Sequence, residues 1–186
     1  GQQLLIYTSV DHETLEDGTV RDIQTQSVAV GDGTDYKKYE KNPVLTGQDV
    51  PEGGSKVDFR DPKIWKGKDG LFYCVVGNRP SDGSGQILLY SSEDGFQWKF
   101  VSILAENKNR YGKMWECPDF FKLDGKYVLL TSPQDMLAEG MEYYSGNGTL
   151  CIIGEMDPDT HTLKEENHQS VDYGIDFYAM QTVEAP

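Results

Sequence analysis

Two segments of this chain, Phe59-Arg60-Asp61-Pro62 and Trp115-Glu116-Cys117-Pro118-Asp119, bring carboxylates to corresponding places of an internal repeat. Two carboxyl groups converging from neighbouring strand starts are the equipment of acid–base chemistry, one giving up a proton and the other, ionised, facing developing positive charge. Each has a plainer reading: Arg60-Asp61 as a structural ion pair at a strand start, and Glu116 as an ordinary strand-end carboxylate. Their matching positions weigh toward function. The histidines His12, His161 and His168 read as lying in polar loop stretches and form no metal or triad constellation. Cys74, Cys117 and Cys151 make an odd count without metal-ligand spacing, and Cys74 and Cys151 sit in apolar runs as core residues. Reduced thiols point to a reducing, cytoplasmic compartment.

The elements that must position these groups emerge when the repeat is written out. Phe59-Arg60-Asp61-Pro62-Lys63-Ile64-Trp65 leads through Lys68-Asp69-Gly70 into the apolar run 71–76, and Trp115 to Phe121 leads through Asp124-Gly125 into the run 126–130. A third apolar run follows in each unit, 86–90 and 149–153, and a more polar fourth, 97–101 and 162–166, closes it. Four short strands in a unit of about 55 residues are the signature of a β-propeller blade. The runs are rich in β-branched and aromatic residues and bounded by Gly, Asp, Asn and Pro, and no window makes a convincing amphipathic helix; 134–142 reads as a loop with at most one turn.

At the N-terminal end, runs at 4–9, 25–30 and 39–45 match the second, third and fourth strands of a blade whose innermost strand is missing. At the other end, Asp172 to Ala179 reads as the innermost strand of a further blade, with Asp176 and Tyr178 as pocket candidates. The expected organisation is therefore one all-β piece of a propeller: a partial blade over about 1–50, blades at 57–110 and 114–168, and the start of another at 170–186. Such a piece needs the rest of its own propeller to close. A net charge of −14 argues against nucleic acid as ligand. No apolar run has membrane-spanning length, and no signal peptide is apparent.

The motifs Phe59-Arg60-Asp61-Pro62, Trp115-Glu116-Cys117-Pro118-Asp119 and Asp172-Tyr173-Gly174-Ile175-Asp176-Phe177-Tyr178-Ala179, in this order, resemble the β-fructofuranosidases of glycoside hydrolase family 32. That resemblance implies a five-bladed propeller with a funnel-shaped axial site, no metal and no organic cofactor. It assigns Glu116 as general acid/base, Asp61 as transition-state stabiliser and Arg60 as a substrate-binding neighbour. The implied substrates are sucrose, sucrose 6-phosphate or a fructan. Retaining hydrolysis requires a protonated carboxyl beside a nucleophilic carboxylate. Glu116 is then expected to lie partly buried between Trp115 and Cys117, while Asp61 beside Arg60 is expected to stay ionised.

The family's nucleophile motif, Asn-Asp-Pro-Asn-Gly, and its Phe-Ser-Gly motif do not occur in these 186 residues, so the chain alone is expected not to hydrolyse sucrose. The leading expectation is a fragment of a β-fructosidase most like the bacterial sucrose-6-phosphate hydrolases. Basic residues that a phosphate pocket would need, among them Lys56, Lys63, Arg79, Lys108, Arg110 and Lys113, are scattered rather than clustered. The competing expectation is a non-catalytic carbohydrate-binding propeller. A sialidase-like reading of Ser92 to Trp98 fails on the position of its glycine and the lack of an arginine triad.

Overall fold

The computed structural model describes residues 1–183. Among them there is no helix, and three antiparallel sheets follow one another along the chain. The first holds β1 (Gln3–Thr14), β2 (Val20–Gly31) and β3 (Tyr36–Lys38); the second β4 (Gly54–Lys66), β5 (Phe72–Pro80), β6 (Gln86–Ser92) and β7 (Lys99–Glu106). The third is formed by β8 (Trp115–Leu123), β9 (Lys126–Pro133), β10 (Leu150–Met156) and β11 (Leu163–Gln169). In each sheet the strands pair in sequence order, which makes each a meander of the blade type.

Stacking of these sheets explains why the central strands read as continuous apolar runs. Cys74 and Val76 of β5 face the first sheet in a cluster with Leu45, Phe59, Leu88 and Tyr90, whereas Val75 between them faces the third sheet with Ile87, Trp115, Leu129 and Ile152. Both faces of the strand are thus buried, and alternation disappears. On the far side of the third sheet Val128, Leu130 and Cys151 pack on Met180.

Several local expectations change. The last strand of the first sheet is Tyr36–Lys38 rather than 39–45, and Leu45 adds only an isolated bridge to Gln26. Asp172–Ala179 forms no strand; among the described residues no strand pairs with it, so its backbone has no ladder to join. The end of that expected piece, 184–186, lies outside the described residues. His12 and His168 belong to strands β1 and β11 rather than loops, paired with Asp22 and Glu165 respectively. The segment 134–142, by contrast, is the non-helical loop expected, closed by bridges at Met136–Gly146 and Glu139–Tyr143.

Candidate active site

The innermost strands β4 and β8 carry the same irregularity at the same place. Between Arg60 and Lys63 the chain takes three steps while β5 takes two, from Gly77 to Val75. Between Glu116 and Asp119 it again takes three while β9 takes two, from Ser132 to Leu130. Each is a β-bulge, a device that re-aims side chains beside a site. Its pivot is a non-glycine residue in the left-handed region, Asp61 at φ 61° and Cys117 at φ 49°. Ala179 at φ 57° follows Phe177-Tyr178 as Asp61 follows Phe59-Arg60, so the C-terminal segment repeats the pivot without pairing as a strand. Left-handed backbone is costly for residues with a Cβ and is tolerated where surroundings enforce it.

The bulges bring repeat partners together. Arg60 Nε donates to Glu116 Oε1 at 2.9 Å, with Nη2 also at 2.9 Å. The Cys117 amide donates to Asp61 Oδ2 at 3.1 Å, and Lys63 Nζ donates to Asp119 Oδ2 at 3.2 Å. Glu116 also receives Gln134 Nε2 at 2.9 Å and the Tyr178 hydroxyl at 2.6 Å, both on Oε2. Its side chain is 18% exposed, Arg60's 15% and Asp61's 29%, which leaves both carboxylates partly open to solvent. The carboxylates do not start their strands alike: Glu116 is the second residue of β8, whereas Asp61 lies well inside β4.

Burial and the Arg60 charge set the electrostatics of the cluster. Burial pushes the Asp61 carboxyl up; the Cys117 amide and the Arg60 charge oppose this, and the Glu116 charge adds to it. The guanidinium turns to Glu116, leaving its Nε 4.0 Å from Asp61, so that its charge offsets the burial of Asp61 only in part. Burial works against the Arg60 charge, yet hydrogen bonds and charges from Glu116 and Asp58 outweigh it, and Arg60 ends above its ordinary value. Burial, followed by the charges of Asp61 and Glu116, drives the Cys117 thiol up to about 12. That thiol is neutral and not a nucleophile. The Tyr178 hydroxyl is pushed far up by burial and by its bond to Glu116, so it stays a donor.

The whole chain, residues 1–186, matches the profile described as glycosyl hydrolases family 32 N-terminal domain. This chain belongs to that family. It is 36% identical over 163 residues to the sucrose-6-phosphate hydrolase of Bacillus subtilis, covering 86% of this chain and 33% of that protein. The raffinose invertase of Escherichia coli is 34% identical over 183 residues, 96% of this chain and 36% of its own length. Among solved structures, a family 32 β-fructofuranosidase of Bombyx mori superposes with a TM-score of 0.86 at 42% identity, over 99% of this chain and 38% of that one. The fold is accordingly a propeller of the family 32 kind, and the chain spans about a third of the length of these relatives.

For a family 32 member, the residues singled out in sequence meet here: Arg60, Asp61 and Glu116 converge, and Tyr178 joins them. Asp176 is exposed. Sequence reading missed Gln134, Asp58 and Gln24, the last accepting from the Phe59 amide at 3.0 Å and Arg60 Nη1 at 3.3 Å. Only Asp58 had a signal, standing two residues before Arg60 and so on the same strand face.

Proposed function

We propose that the full-length protein is a retaining β-fructofuranosidase that cleaves the fructosyl bond of sucrose. Glu116 serves as general acid/base and Asp61 as stabiliser of the charged fructosyl ring. The observation that carries this reading is the junction of Arg60, Gln134 and Tyr178 on Glu116, with Asp61 anchored beside it by the Cys117 amide. In the first step the Glu116 proton passes to the glycosidic oxygen as the bond to the anomeric carbon breaks. The carboxylate left behind meets three donors already in place, which stabilises charge without reorganisation. In the second step it takes a proton from the attacking water. The nucleophile belongs to a part of the protein outside these 186 residues, and the chain by itself is expected to leave sucrose intact.

The names of the relatives support sucrose and sucrose 6-phosphate as substrates; a variant of the Bombyx mori enzyme is described in complex with sucrose, and superposes with a TM-score of 0.87. The test is full-length protein assayed on sucrose, sucrose 6-phosphate and inulin, beside Glu116→Gln. We expect sucrose turnover, and a loss of roughly 10²- to 10⁴-fold in the variant that shrinks for a fructoside with an activated leaving group. Carbohydrate binding without hydrolysis of any of the three would favour a binding propeller instead.

A further inference from the structure

We propose that Asp58 is a positioning residue for proton transfer: by holding the far side of the Arg60 guanidinium, it sets how much of that positive charge reaches Glu116. The inference rests on the reading of Glu116 as general acid. Arg60 Nη1 donates to Asp58 Oδ1, while Nε and Nη2 face Glu116 Oε1 at 2.9 Å. One guanidinium therefore serves two carboxylates. Asp58 is itself held from outside, its Oδ2 lying 3.5 Å from Arg79 Nη1, and Arg79 is tied down by its Nε bond to the Gly83 carbonyl at 2.9 Å. The backbone of Asp58 is fixed as well, its carbonyl accepting from the buried Asn78 amide at 2.7 Å. The result is a row of alternating charge, Arg79, Asp58, Arg60 and Glu116, running from a side chain 40% exposed to one 18% exposed.

Such a row has a definite sign. Negative charge on Asp58 offsets the field of Arg60 at Glu116, and so favours the protonated form that a general acid must present. Arg79 offsets Asp58 in turn. The other groups facing this pair are Asp61 from β4, Gln24 from β2, Cys117 from β8, Gln134 beyond β9 and Tyr178 from the C-terminal segment. Of these only Asp61 carries charge, and it bonds across to β8 rather than to Arg60. Asp58 is thus the carboxylate that divides Arg60 with Glu116.

The experiment is the pH dependence of kcat/KM for sucrose in full-length protein, comparing wild type, Asp58→Asn and Arg79→Gln. Asp58→Asn is expected to move the alkaline limb to lower pH by roughly half to one unit, and Arg79→Gln to move it by less in the opposite direction. Partial unfolding does not produce shifts of opposite sign. Limbs that coincide with wild type in both variants, or move the same way in both, overturn the role of Asp58. If Asp58→Asn does not fold, Arg79→Gln decides alone, an unmoved limb counting against the proposal. A wild type inactive on sucrose, sucrose 6-phosphate and inulin would instead overturn the enzymatic reading itself, which keeps the two failures apart.

Discussion

Arg60 and Glu116 stand 56 residues apart, occupy the same position of two successive repeats, and are each other's partner. The same interval separates Lys63 from Asp119 and Asp61 from Cys117, which are also in contact. Neighbouring blades bring equivalent residues of their innermost strands side by side, so a repeat with identical side chains would confront like charges there. This chain instead sets arginine against glutamate and lysine against aspartate. The two carboxylates that mark the site are consequently one repeat position out of step, Glu116 matching Arg60 and Asp61 matching Cys117. Divergence between repeats is thus what lets two blades build one site.

Arg60→Lys tests whether the planar fork matters beyond its charge. A lysine keeps the positive charge but not the paired approach of Nε and Nη2 to Glu116 together with Nη1 to Asp58. Turnover of sucrose by the full-length variant is expected to fall by roughly a hundredfold, with a smaller change in KM. Steady-state kinetics check this, and full activity in the lysine variant would show that charge alone suffices.

Gly85 lets the third sheet come close enough to place Glu116. A Cβ there would lie 2.5 Å from the Trp115 amide nitrogen and 2.8 Å from the Lys113 carbonyl, both backbone atoms that have nowhere to turn. Gly85→Ala is expected to cost ~1–3 kcal/mol and to reduce activity by displacing the residue next to Glu116. Gly148→Ala is the control, since its Cβ meets nothing closer than Met136 Cγ at 3.7 Å. Urea unfolding of the two full-length variants should separate them clearly.

What the sequence revealed of fold and site follows from what each feature leaves in the chain. The central strands were legible because burial on both faces makes their apolar runs continuous, as around Cys74, Val75 and Val76. Tyr36–Lys38 was not, since three exposed residues carry no pattern. Asp172–Ala179 has the aromatic content of a strand, yet pairing is a property of neighbours that no single segment encodes. Within the site, Arg60, Asp61 and Glu116 stood out through the repeat. Gln134 and Gln24 did not, because a neutral amide at a strand end looks like any other. The pivots at Asp61, Cys117 and Ala179 were hidden for a related reason: no glycine marks these left-handed positions.

Asp32, Asp94 and Asp157 close the hairpin between the last two strands of each sheet, and each carboxylate accepts two backbone amides of its own turn. Those amides hold Asp32 and Asp94 below the ordinary carboxylate value of 3.8, and for Asp157 the Lys164 ammonium is the larger cause, ahead of the amides. A folded-state value below the unfolded one means that these turns contribute their full stability above about pH 4, where both states are ionised. The contribution is lost as the pH falls and the unfolded chain takes up protons first. Replacing all three with Asn keeps a turn-capping oxygen while removing the titration. Full-length protein carrying Asp32→Asn, Asp94→Asn and Asp157→Asn should therefore lose less of its unfolding temperature between about pH 5 and pH 3 than wild type. Thermal unfolding across that range is the measurement, and identical slopes for the two proteins would exclude these turns as a source of acid sensitivity.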